Sequence, residues 1–340
     1  QNLLGPGRQH MPVAAHADGG PTVPRNAPST FNIAFYNKVM FHDGRVESLD
    51  TQWALNGSNQ SIRTPDSQFN TKDNVAGANL AAAQARFPVT STEEMRGFNY
   101  AAGQSNQVLR EQLTSRLKGE TNELAHNEWF NAFLQGFEVD SSDVDINQLI
   151  TFDNIAFALG EFQRSQILIN SPWHNFVEGD DSALTAQQLQ GAKLFYTSYE
   201  NGGFNCASCH SGDFMTDESF HVIAMPQIGR GKGNGLNGDE DFGRFRETNE
   251  EKDRFAFRTP HLTNIEVTFP YGHSGAFLTL EEVVKHHLNP ALSIANYDPT
   301  ELQPGLQTSN WLANTEKALH QLTQLQSTGE SKLKTVDHSE

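Results

Sequence analysis

Two cysteines and a histidine stand together as Cys206-Ala207-Ser208-Cys209-His210, and the chain has no other cysteine. Two thiols three positions apart can add to the two vinyl groups of a haem, and the adjoining imidazole can then swing onto its iron. A thioredoxin-like redox pair needs no histidine and sits in a βαβ setting. A zinc site needs further ligands at suitable spacing, and no second cysteine pair exists to supply them. The motif therefore reads as covalent haem c. The opposite face of the iron needs its own account, with Met215, His221, Met225, His273, His286 and His287 as candidates. In the helix expected over 279–288, Leu280, Val283, Val284 and His287 recur at i, i+3, i+4 and i+7. That is one apolar face, so His287 is expected to point inward and His286 to lie nearer solvent, with Met225 as the rival ligand.

The elements that position these residues read as helical. Capping and periodicity predict helices near 75–86, 92–102, 105–117, 122–137, 146–166, 185–198, 279–288 and 309–326. Residues 1–30 carry Pro6, Pro12, Pro21, Pro24 and Pro28 and are expected to run without regular helix. Ser171-Pro172 and the polar run to Asp181 suggest a boundary near 170–182, dividing the chain into domains 1–175 and 176–340. The glycine-rich stretch 229–243 reads as a long loop, and the charged tail 327–340 as frayed. β-rich runs are scarce, so the class is mainly α with long loops.

Composition narrows the function. The 340 residues contain 24 Lys+Arg against 41 Asp+Glu, a formal net charge of −17. That balance argues against nucleic-acid binding, which needs clustered cations. No apolar stretch approaches the roughly 20 residues of a membrane span. The chain starts at Gln1 with no signal-peptide pattern, which suggests a processed form or a trimmed piece.

From Leu184 onward the chain resembles the C-terminal domain of the bacterial dihaem cytochrome c peroxidase and MauG family. The resemblance rests on Leu184 to Gly191, Asn205 to His210, Asp241 to Arg246, Phe257 to Asn264, and above all Pro270-Tyr271-Gly272-His273-Ser274-Gly275-Ala276-Phe277 followed by Thr279 to Val284. The N-terminal half is similar through Arg25-Asn26-Ala27-Pro28, Phe41-His42-Asp43-Gly44-Arg45 and Glu94-Met95. The family's second axial ligand falls seven residues after Leu280, at His287, where peroxidases carry Met and MauG carries Tyr. A His/His site would have a lower potential than a His/Met site. The resemblance implies two cytochrome c-like helical domains and a haem c held by Cys206, Cys209, His210 and His287. It implies Glu94 as the acid/base that moves a proton between peroxide oxygens, and His16 as a ligand of a second haem. It also implies a calcium ion held by the Asn26 side chain and the carbonyls of Thr268 and Pro270.

Two departures stand out. The family's other Cys-x-x-Cys-His, upstream of Arg-Asn-x-Pro, is not in this sequence, and His42 replaces a family Trp. The implied function is a periplasmic oxidoreductase that reduces hydrogen peroxide with electrons relayed through the C-terminal haem. Its donor would be a small cytochrome c or copper protein, favoured by steering to this acidic surface if basic. Peroxidases of the family are commonly homodimers. The alternatives are a one-haem electron-transfer protein on the same scaffold, MauG-like oxidation of a partner protein, or a haem sensor whose His287 is displaced by ligand.

Overall fold

The computed structural model describes residues 23–50, 55–58, 61–96, 101, 103–121, 123–125 and 127–336. They are mainly helical, with two small antiparallel sheets. None of their helices is long and apolar enough to cross a membrane. They form two compact units, neither continuous in sequence: 36–40 with 45–165, and 23–35 with 41–44 and 166–336. A cut between 175 and 176 would give two continuous halves; here residues 23–35 and 41–44 group with the C-terminal residues.

In the first unit, β1 (Val39–Met40), β2 (Val46–Ser48) and β3 (Ile62–Arg63) form a sheet in that order. Helices α1 (Leu80–Ala85), α2 (Asn106–Leu117), α3 (Glu128–Phe137), α4 (Ile146–Leu149) and α5 (Phe152–Arg164) follow. Asn79 caps α1 by accepting from the Ala82 amide, and its Nδ2 donates to Glu161 of α5 at 2.9 Å. The run Ala81-Ala82-Ala83 is fully buried because only small side chains let α1 and α5 approach this closely. Several expected helices are shorter or absent. Residues 91–96 form turns where a helix was expected to start, and the Thr92 hydroxyl donates to Glu93 at 2.9 Å; residues 97–100 and 102 lie outside the described residues. The stretch 146–166 breaks at Ile150, whose backbone is not helical, and Thr151 caps a new helix through the Asn154 amide.

The second unit holds α6 (Pro172–Val177), α7 (Ala186–Tyr196), β4 (Phe220–Val222), α8 (Phe245–Thr248), β5 (Ala256–Arg258), α9 (Leu280–Leu288), α10 (Pro290–Ala295) and α11 (Trp311–Thr328). β4 pairs with β5, with His221 opposite Phe257. Met225, Ile228, Tyr271, Phe277, Leu302 and Leu306 make one core; Val222, Phe255, Ile294, Ala318 and Leu322 make another; Trp311 packs against both. The glycine-rich stretch is an ordered excursion closed by the Asn234–Glu240 bridge. The tail is not frayed through 336: α11 runs to Thr328, Gly329 ends it with φ 76°, and the following residues dock back on the unit.

The segment 23–35 is tied in by polar contacts. Arg25 is buried between Asp43, at 2.5 Å from its Nη1, and Asp241, which takes Nε at 2.6 Å and Nη2 at 2.8 Å. Asn32 Nδ2 donates to the Leu168 carbonyl, and its Oδ1 accepts from the Leu168 amide. His42 Nε2 meets the Asn26 carbonyl and His261 Nε2 the Phe31 carbonyl, both at 2.9 Å. Burial, with the charges of Arg25 and Arg258 beside His42 and of Arg258 beside His261, pushes both imidazoles down to about 4.

Two outcomes follow from this packing. Gly160→Ala in α5 would set a Cβ 2.7 Å from the Ala82 amide nitrogen, while a Cβ at Gly136 in α3 meets nothing within 4 Å. Gly160→Ala should lose about 1–3 kcal/mol of stability, and Gly136→Ala should be neutral or gain up to about 1 kcal/mol. Equal urea midpoints for the two variants would contradict the close helix crossing. The second outcome concerns acid. On unfolding, His42 and His261 regain a value near 6.5, so below that pH the unfolded chain binds protons the native chain refuses. Stability should be whole above pH 6.5 and fall from there to about pH 4, by on the order of 3 kcal/mol for each histidine. A urea midpoint that stays flat between pH 7 and 4.5, or an unchanged slope in His261→Gln, would refute this.

Candidate haem site

The Cys-x-x-Cys-His motif folds as one 3-10 turn. Asn205 enters it with φ 52°, and Cys206–Ser208 is the turn itself. The Cys206 carbonyl accepts from the amides of Cys209 and His210, at 3.2 and 2.9 Å. Both thiols and the imidazole are thereby drawn to one short arc, all partly buried. Burial raises the Cys206 thiol above its usual value. The loop is held beyond the motif by Asp217, whose amide donates to the Cys209 carbonyl at 2.9 Å, and by Phe214, stacked on Phe35 at 4.0 Å.

The opposing residue comes from α9. Thr279 and Glu282 form a capping box at its start, and Lys285, His286 and His287 lie in its last turn, where positive character suits the dipole. Leu280 and Val283 pack on the Met225 core. This places the His287 ring 6.4 Å from the His210 ring, centre to centre. Metal–imidazole bonds of about 2.0–2.1 Å on either side of one ion put two ring centres about 6 Å apart. Each ring spends its Nδ1 on a backbone carbonyl: His210 donates to Met215 at 3.0 Å and His287 to Val283 at 2.7 Å. That leaves Nε2 of both available to a metal, the arrangement metal-bound histidines usually show. Burial first, then the neighbouring His287, lowers His210 to about 4, and burial lowers His287. Both are neutral near pH 7, the form that binds metal. The donor set of two thiols and two opposed neutral imidazoles fits a haem c.

The other candidates are committed elsewhere. His286, expected nearer solvent, is fully buried, with Nε2 on the Ile223 carbonyl at 2.8 Å and Nδ1 at Ser293 Oγ, 3.2 Å away. Burial, with the neighbouring His287, drives it down to about 3. The stripe argument missed this because the face opposite the Leu280–His287 side is also covered, here by the chain around Ile223. Met225 is buried among Ile228, Tyr271 and Phe277, and His273 lies flat on Phe257 at 3.5 Å. His221 binds Asp217 at 2.8 Å; burial opposes its protonation but the Asp217 bond wins, raising it to about 9. Met215 offers its carbonyl to His210 from a left-handed backbone with φ 52° that no sequence signal marks.

The remaining expected residues are more scattered. Glu94 is exposed in the 91–96 turn of the first unit. His16 lies outside the described residues. Asn26 and Pro270 do meet, but Asn26 Nδ2 donates to the Pro270 carbonyl at 2.8 Å, and the Thr268 amide and hydroxyl both turn to the Ile265 carbonyl. A calcium ion needs converging oxygens, and here the Asn26 amide presents Nδ2 to the Pro270 carbonyl.

In the haem-loaded protein, His287→Gly should abolish the six-coordinate low-spin absorption spectrum. His286→Leu should keep that spectrum and lose about 1–3 kcal/mol of stability, because it strands a buried carbonyl. An unchanged spectrum in His287→Gly would rule out His287 as the ligand.

The sequence model of the family described as di-haem cytochrome c peroxidase matches residues 6–182, just over half of the chain. The chain is 26% identical over 264 residues to the cytochrome c551 peroxidase of Pseudomonas aeruginosa, covering 77% of this chain and 57% of that protein. It is 26% identical over 269 residues to the methylamine utilization protein MauG of Methylorubrum extorquens, covering 78% and 55%. The chain thus spans about half the length of the curated relatives it matches. The crystal structure of the diheme peroxidase BthA from Burkholderia thailandensis shares the fold, with a TM-score of 0.52 at 18% identity over 92% of this chain and 72% of that one.

Proposed function

This chain belongs to the di-haem cytochrome c peroxidase family, and we propose that it is a c-type haem oxidoreductase that reduces hydrogen peroxide, taking electrons in through the haem at Cys206, Cys209, His210 and His287. The observation that carries this reading is the pair His210 and His287, with ring centres 6.4 Å apart and each Nδ1 already bonded to a carbonyl. When bound, the haem supplies one-electron redox chemistry at its iron, and two imidazole ligands favour a low potential over His/Met ligation. The chain's own part is positional. Cys206 and Cys209 anchor the group through thioethers, and the carbonyls of Met215 and Val283 fix which nitrogen of each imidazole faces inward.

The overall reaction converts one hydrogen peroxide, two electrons and two protons into two waters. Glu94 is the residue proposed to carry a proton from one peroxide oxygen to the other. That step calls for a second haem site, with His16 as a ligand, and the single Cys-x-x-Cys-His of these 340 residues does not supply it. A second reading is a one-haem electron-transfer protein on this scaffold. Haem c attachment and the family point to the periplasm. The charge of −17 suits a basic donor, such as a small cytochrome c or copper protein.

Pyridine haemochrome analysis of the native protein should give two haems per chain for the peroxidase and one for the electron carrier. Reduced protein mixed with hydrogen peroxide should reoxidise within seconds, and Glu94→Gln should slow this by about 100-fold or more with its haem spectrum intact. A wild-type spectrum that stays reduced over minutes would end the peroxidase reading.

A further inference from the structure

The residues after α11 do something that neither the motif nor the family match calls for. Gly329 turns the chain back, and the Leu325 carbonyl accepts from the amides of Glu330 and Ser331 at 2.8 and 3.1 Å. Lys332 Nζ then donates to the Ser208 carbonyl, inside the Cys-x-x-Cys-His turn, at 2.8 Å and to Asp217 at 2.9 Å. Leu333 packs against the Val222–Leu322 core, and Gln326 Nε2 donates to its carbonyl at 3.0 Å. The Lys334 amide meets Tyr199 Oη at 3.3 Å. Finally, the Val336 amide donates to the Leu288 carbonyl at 2.9 Å, one residue past His287.

The contacts of Lys332 and Val336 fall on the two elements that carry the proposed haem ligands. The Ser208 carbonyl lies within the turn that presents His210, and Asp217 holds that turn's Cys209 carbonyl. Leu288 is the last residue of α9, where helix carbonyls have no intrahelical donor. Val336 supplies one. A final turn left without such partners frays readily, and here that turn carries His287. Val336 lies four residues after Lys332, a span of at most roughly 14 Å. The strap therefore limits how far the two ligand elements can part.

We propose that residues 330–336 are a clamp on the haem ligands, in which Lys332 and Val336 are positioning residues that keep His287 opposed to His210 and the sixth coordination position closed. This rests on the reading of His210 and His287 as axial ligands. The clamp predicts that loosening either end makes His287 displaceable.

The test uses the haem-loaded full chain and two variants. Lys332→Met keeps the aliphatic stem but removes the donors, and Val336→Pro removes the amide given to Leu288. Carbon monoxide binding to the reduced protein should be at least tenfold faster in Val336→Pro, with partial loss of the low-spin spectrum. Amide exchange should be at least tenfold faster across 285–289 in Val336→Pro and across 206–217 in Lys332→Met, and Lys332→Arg should restore most of the protection. Wild-type carbon monoxide rates and wild-type exchange in both variants would overturn the clamp. Should Val336→Pro fail to fold, Lys332→Met alone decides through the same two readouts. A wild-type protein without a bis-histidine spectrum would instead sink the ligand reading, and the exchange measurements would still report on the strap.

Discussion

A guanidinium can be buried only if its charge is met, and Arg25 meets its partners 18 and 216 residues away, at Asp43 and Asp241. Burial opposes the charged forms, but the contacts hold Arg25 above and Asp241 well below their ordinary ranges. Breaking such a group costs about 3–5 kcal/mol, because a charge is left stranded. The consequences spread outward. Asp241 also takes the Gly243 amide, its own amide reaches Gln227 Oε1, and the Gln227 amide reaches Thr315 in α11. Arg25 lies over Phe257, which stacks on His273. One ion cluster thus connects the segment around residue 25 to the helix whose end begins the strap over the haem-ligand turn.

The sequence revealed the chemistry better than the geometry. Cys206, Cys209 and His210 were legible as a candidate site because attachment chemistry would dictate their spacing, and α9 was legible because Thr279, Glu282 and the basic last turn mark both its ends. His287 emerged from the 3.6-residue stripe. The same stripe misjudged His286, since periodicity finds one apolar face and says nothing about a second face covered by distant chain. The helix expected to start at 92 does not start there: residues 91–96 are turns in which the Thr92 hydroxyl bonds the neighbouring Glu93 carboxylate, a local competition that a cap pattern in sequence does not reveal. The polar contacts that seat residues 23–35 were invisible for a different reason. Several of them depend on pairings across more than 130 positions, such as Asn32 with Leu168, that no local pattern encodes.

The carbonyls that orient the two imidazoles were equally hidden. Met215 turns its carbonyl to His210 from a left-handed backbone, and Val283 is simply one turn below His287 on its own helix. In the second case a feature every helix has, a carbonyl four residues back, selects the tautomer. Any histidine at that position can be pre-set in this way, so a ligand can change type at this position without help from a new neighbour.

The strap residues 330–336 come after every element they tie, and their contact with Ser208 spans 124 positions. A chain made from its N-terminus leaves the Cys-x-x-Cys-His turn and α9 unclamped until the strap has emerged. Assembly then has a built-in order: a bulky planar group can be threaded between the two ligand elements while they are loose, and the seal forms last. What holds the finished site together is also what would obstruct its loading if it formed early.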